Sequence, residues 1–139
     1  MAEPMRVEVV SPERVLYSGE ATMVITRTLA GETGGGGEVA FQAGHMPFLG
    51  ALSDNHTRVF LSAGTVQDIA VHGGFVEVSE NKVSILSDAA ELSTEIDVDR
   101  ARTAKERAEE RLRHEHDAEA VAALGRAHAR LNATGAGFG

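Results

Sequence analysis

Polar and apolar residues alternate through the first 90 positions. Met5, Val7 and Val9 alternate with Arg6 and Glu8 over Met5–Val10, the period of a half-buried strand. Residues 14–18 and 21–26 continue in short β-branched pieces, punctuated by Pro12 and Gly19. Residues 39–41, 48–52, 58–61, 66–71, 75–78 and 83–86 read the same way. The last two flank Ser79-Glu80-Asn81, which predicts a hairpin turn. Many short strands with frequent turn signals predict an antiparallel sandwich or barrel.

Near residue 90 the period changes. Ala101, Ala104, Ala108 and Leu112 recur at three- and four-residue steps, and so do Val121, Leu124, Ala127 and Leu131. These spacings predict two amphipathic helices. Asp97 is placed to cap the first, and residues 114–117 form a short polar turn. A connection that short makes the helices antiparallel neighbours. At about 1.5 Å per residue each spans roughly 22–26 Å. The expected class is α+β: an N-terminal sandwich over 1–90, a helical hairpin over 91–133, and a Gly-rich tail over 134–139 that frays. Four consecutive glycines in AGETGGGG, between Leu29 and Glu38, read as a flexible surface loop. No Gly-Lys-Ser/Thr closes that loop, so it is not read as a phosphate cradle.

The hairpin seam is mostly alanine. A buried methyl contributes on the order of 0.8 kcal/mol and a buried Leu about 2, against an ordering cost of about 1–2 kcal/mol per residue. Helix propensity is high, because Ala, Glu, Arg and Lys dominate. Each helix can persist while the pair opens. Two behaviours follow from composition: a hairpin with folded and unfurled states, or one statically docked on the sandwich.

Charge and composition narrow the chemistry. The net charge is −8, and all of it lies in residues 1–96, with 5 Lys/Arg against 13 Asp/Glu; residues 97–139 hold 8 of each. An acidic front segment without a basic patch argues against nucleic-acid binding. There is no Cys, which excludes disulfides, thiolate metal sites and a Cys nucleophile. No window is apolar enough to span a bilayer, and the N-terminus lacks a secretory pattern. Membrane association is therefore expected only through a partner.

No constellation reads as catalytic. His114 and His116 flank Glu115, but i,i+2 spacing does not put both rings on one helix face, so no metal site is expected. Asp97 and Asp99 sit at a helix start, where acids favour the dipole. Arg126 and Arg130 are one turn apart on an Ala-rich helix, with no acid at i±4 in that turn. Two guanidiniums on one ridge suit a phosphate or carboxylate partner; the alternative is a solvated surface.

Several segments, in order, resemble the epsilon subunit of F-type ATP synthases. They are VEVVSPERVLYSGEA, GEVAFQAGHMPFLGAL, VHGGFVEVSENKVSILSDAAE and IDVDRARTAKERAEERL, which together cover nearly the whole chain. The resemblance implies a ten-stranded β-sandwich beside the gamma subunit, with the rotating c-ring beneath and Glu38 and His45 at the c-ring or gamma interface. It implies a non-catalytic rotor subunit of a proton-translocating complex, peripheral at the cytoplasmic face of the cell membrane. It also implies an ATP-responsive hairpin. Ile96-Asp97-Val98-Asp99-Arg100-Ala101 resembles the family's I/L-D-x-x-R-A motif, Glu91 matches the glutamate before it, and Arg126 and Arg130 match two arginines of the second helix. No cofactor is implied as required, and ATP enters as a regulatory ligand. When unfurled, family hairpins reach the catalytic beta subunits and brake hydrolysis. The glycine-rich loop is longer than the family's, and the short tail implies weaker braking. The competing readings are a free-standing ATP-sensing module and a small hydrolase using Asp97 and Asp99 or the His pair.

Overall fold

Ten strands form, nine of them where the alternation predicts them and a tenth over Ala89–Leu92 that it did not mark, and they pair into two five-stranded sheets. The computed structural model describes residues 3–29 and 36–136. The strands are β1 (Met5–Val10), β2 (Val15–Ala21), β3 (Met23–Thr28), β4 (Gly37–Phe41), β5 (Phe48–Ala51), β6 (Asn55–Phe60), β7 (Val66–His72), β8 (Phe75–Ser79), β9 (Lys82–Leu86) and β10 (Ala89–Leu92). One sheet runs β2-β1-β9-β8-β5 and the other β10-β7-β6-β3-β4. The predicted glycine-rich loop falls largely on residues 30–35, and the end of the predicted tail on 137–139. Both lie outside the described residues.

The sandwich departs from antiparallel pairing at one place: β1 runs parallel to β9. Parallel neighbours need a long crossover. Here the intervening strands pass through the second sheet before the chain returns beside its own beginning. The predicted turn between β8 and β9 is a two-residue one, with Glu80 and Asn81 both left-handed (φ 49° and 59°). That geometry matches the twist of the flanking strands. Between the sheets Val7, Val9, Val24, Phe41, Val59, Ile69, Val76, Val83 and Ile85 are fully buried. Thr26 and Thr57 satisfy each other there, oxygen to oxygen at 2.8 Å.

A 3₁₀ turn (Ser93–Glu95) leads into α1 (Val98–His114) and α2 (Ala118–Ala133). Asp97 caps α1, accepting from the Arg100 N–H, and Asp117 caps α2, accepting from Glu119 and Ala120. The hairpin is docked. α2 lies on β6 and β7, and α1 packs chiefly on α2. The contact with the sheet is built from small residues: Ala129 and Ala133 meet Ala70, with Ile96 packed against them. Gly125 comes so near Asp54 that a Cβ there would sit 2.9 Å from its carboxylate.

Ala101, Ala108, Ala127 and Leu131 are buried as the period predicts, while Ala104, Leu112 and Leu124 are half-buried. Val121 corrects the predicted seam, because it is largely exposed. The reason is that α2 buries two faces rather than one. Ala120, Ala129 and Ala133 join Ala127 and Leu131 in the interior, and Val121 is left outside. Because alanine meets alanine, bulk at this contact cannot be absorbed. Ala129→Leu is expected to destabilise docking by about 1–3 kcal/mol. Hydrogen exchange should then accelerate in α1 and α2 and stay slow in β1 and β9. Equal protection in the variant would show that the contact tolerates bulk.

Candidate functional site

Four elements converge at the junction of sandwich and hairpin. Glu91 comes from β10, Glu95 from the 3₁₀ turn, Asp97, Arg100, Ala101 and Ala104 from the start of α1, and Arg130 from α2. They line an open cleft of about 300 Å³, at the lower end of small-molecule sites. The division at residue 90/91 runs through β10, so Glu91 belongs structurally to a sandwich strand. Arg130 reaches the cleft from α2, so the docked hairpin supplies that wall.

Two of the acids in the cleft, Glu91 and Glu95, are already paired with arginines. Arg130 Nε donates to Glu91 Oε1 at 2.7 Å. Glu95 takes both terminal nitrogens of Arg14, at 3.0 and 2.6 Å, and accepts from the Leu92 N–H. Arg14 holds the Glu95 carboxyl below its ordinary range and is itself raised. A depressed carboxylate contributes stability above that ordinary range and loses it as pH falls through the folded value. Both groups are exposed, so solvent keeps the contribution small. Asp97 spends one oxygen on the Arg100 N–H, at 3.1 Å.

Of the predicted site residues, Glu91, Asp97, Arg100, Ala101 and Arg130 are brought together. Ile96 does not line the cleft; it anchors the entry to α1 on the small-residue contact with the sheet. Arg126 does not line it either, since its guanidinium donates to Glu119 at 2.7 Å. The two arginines therefore diverge, and both are paired although no acid lies at i±4. Their acids come from seven residues back along α2 and from β10, outside the i±4 window. Glu95 and Ala104 were not predicted to line the cleft. Nothing local marks Glu95, because its partner lies 81 residues away.

At the other predicted interface, Glu38 and His45 lie toward opposite ends of β4. Glu38 is exposed opposite Arg27. The His45 ring meets Phe41 edge-on at 4.9 Å, and its Nδ1 lies 2.7 Å from the Met46 carbonyl. Met46 beside it is exposed, as are Leu49 on β5 and Leu29 after β3.

A second surface was not predicted. Register aligns Val15, Val10, Leu86, Phe75 and Ala51 in one row across all five strands of the first sheet, on its outer face. Val15, Leu86 and Phe75 are 59%, 60% and 58% exposed. With the half-buried Val10 and Ala51 between and beside them, they make a candidate interaction surface. The available signal was the run Phe75-Val76, where two apolar neighbours put one on each face.

Fold and cleft together define a class: a two-sheet sandwich carrying a docked helical hairpin, with a charged cleft where they meet. Residues 4–93 match the family model for the ATP synthase, Delta/Epsilon chain, beta-sandwich domain, and residues 94–135 the long alpha-helix domain of the same chain. The chain belongs to the ATP synthase delta/epsilon chain family. It is 41% identical over 136 residues to the ATP synthase epsilon chain of Streptomyces avermitilis, covering 98% of this chain and 99% of that one. It is 48% identical over 108 residues to that of Brevibacillus brevis, covering 78% and 77%. Among solved structures, a chain of the Euglena gracilis mitochondrial ATP synthase superposes with a TM-score of 0.78 at 21% identity, covering 94% of this chain and 80% of that chain. At that identity the likeness shows the fold. No helix among the described residues is long and apolar enough to cross a membrane.

Proposed function

We propose that this chain is a non-catalytic central-stalk subunit of a proton-translocating F-type ATP synthase, peripheral to the cell membrane, and that its hairpin closes over ATP. The observation that carries the regulatory part is the composition of the cleft. Sandwich, α1 and α2 each supply charged side chains to it, so a ligand held there favours the docked hairpin. A ligand that binds one state alone stabilises it by RT ln(1 + [L]/Kd). The cleft lies at the N-terminus of α1, where the helix dipole favours an anion. Arg100 and Arg130 supply guanidiniums for phosphates, and Asp97 supplies an acceptor for the adenine amino group or ribose. Arg130 reaches phosphate only by sharing or leaving Glu91, so phosphate competes with an internal carboxylate. Calorimetric titration of the full chain with ATP tests this reading. Absence of heat at millimolar ATP, with the hairpin folded, removes it.

The rotor role rests on the family and on the apolar row. The outer face of the first sheet is the surface assigned here to gamma. The exposed Leu29, Met46, Leu49 and Glu38 and the half-buried His45 are assigned to the c-ring side, where the acidic front segment complements basic loops. Unfurled, the hairpin extends toward the beta subunits. Phe75→Glu should weaken co-purification with gamma about tenfold or more, because a carboxylate buried in an apolar interface lacks a partner. Unchanged capture of gamma by the folded variant would move the interface elsewhere. A free-standing ATP sensor would have no use for this apolar row.

A further inference from the structure

His72 lies beneath α2, at the end of β7, and is 6% exposed, the one buried histidine among the described residues. Its Nε2 is 3.3 Å from Glu91 Oε1, the same oxygen that accepts from Arg130 Nε at 2.7 Å. Its Nδ1 is buried without a hydrogen-bond partner. One neutral tautomer fits: Nε2–H donates to Glu91, and Nδ1 keeps its lone pair. The ring thus fixes the carboxylate that holds Arg130 at the cleft.

A proton on Nδ1 creates a buried N–H with no acceptor and a second cation facing Arg130. The charged groups around the ring are Glu91 on β10, Arg130 on α2 and Asp54 at the head of β6, with Asp88 against the adjoining Gly73. Burial, then Arg130, push the His72 pKa below its ordinary 6.5, opposed by Glu91 and Asp54. Arg130 and the cover of α2 leave together when the hairpin opens, while Glu91 and Asp54 stay with the sandwich. The undocked state therefore binds the proton better.

We propose that His72 is a positioning residue of the cleft and a proton latch, whose neutral form locks the hairpin closed through Glu91 and whose protonation releases it. The ligand arm of this inference rests on the ATP reading above; the latch itself does not. The sign follows from linkage. The docked ring binds its proton less well than the undocked one, so docking is fully stabilised above the undocked pKa and weakens as pH falls through it.

The test uses the full chain, with NMR of the Ala129 and Ala133 methyls, which report contact with Ala70, from pH 8 to pH 5. ATP titrations are made at both ends. In the wild type, the methyl signals should shift toward undocked positions below pH 6.5, and ATP affinity should fall several-fold. His72→Gln keeps a donor toward Glu91 and cannot take up the proton, so both profiles should flatten. His56→Gln, which removes the neighbouring histidine paired with Asp68, should keep the wild-type profile. Identical pH profiles in the wild type and His72→Gln overturn the proposal. If His72→Gln fails to dock at pH 8, the wild-type His72 ring signal decides: titration at the ordinary value in the docked protein overturns the latch, and depressed titration upholds it. A latch seen in the methyls without ATP binding at any pH upholds the proposal and removes the ATP reading alone.

Discussion

Gly74→Ala is expected to destabilise the sandwich by on the order of 4 kcal/mol, in the range reserved for a short list of severe mechanisms. Gly74 sits at φ +106°, a conformation that side chains rarely adopt. A Cβ there would overlap the Leu86 carbonyl oxygen and lie 2.7 Å from the Ser87 Cα. The obstruction is backbone, and that backbone cannot yield. β9 is paired on one side to β1 and on the other to β8, and Gly74 itself accepts from the Leu52 N–H at 2.8 Å. Against a typical total of about 5–15 kcal/mol, a loss of that size removes from about a quarter to most of the stability. Gly64→Ala is the matched control. Gly64 is also left-handed, but its Cβ would meet nothing within 4 Å, so it should cost only about 1–2 kcal/mol of conformational strain. Urea denaturation of both variants checks the pair. Equal costs would show that strain alone, and not the clash with β9, accounts for Gly74.

Arg130→Ala should weaken ATP binding on the order of 10–100-fold. A hydrogen bond to a charged group contributes about 1.5–3 kcal/mol, and removing this guanidinium also leaves Glu91 as an unneutralised carboxylate facing the phosphates. Arg126→Ala should weaken binding less, by about threefold or under, because its guanidinium is engaged by Glu119 and acts on the cleft only through the general field. Calorimetry on the two variants separates them. Equal and large losses would mean that Arg126 swings into the cleft on binding. Unchanged affinity in Arg130→Ala would remove this residue from the site.

Much of the candidate site was legible in the chain because it is local. Asp97, Arg100 and Ala101 sit on one short stretch, named through the resemblance of Ile96–Ala101 to a family motif, while the local pattern marked Asp97 only as a cap. Arg130 was legible as a charge on an otherwise small-residue helix. What escaped was everything whose partner is distant. Arg14 meets Glu95, Arg130 meets Glu91, and Glu91 meets His72, across 81, 39 and 19 residues respectively. A spacing rule within one helix sees none of these pairs. The same blindness explains Val121, which the helical period placed on the seam and the second burial face of α2 left in solvent.

The sequence by itself determined most of the elements and the antiparallel hairpin, because alternation, helical period and capping are encoded within a few residues of each other; the family came from the resemblance of four segments in order. It also determined that the hairpin seam would be thin. Tertiary structure decided the rest. It set β1 beside β9, aligned Val15, Val10, Leu86, Phe75 and Ala51 from five strands into one apolar row, and docked α2 where Ala129 and Ala133 meet Ala70. It also slid α2 over His72 and closed Arg130 onto Glu91. Strand order and helix docking depend on which distant surfaces exclude water together, and that choice is made by the whole chain rather than by any segment of it.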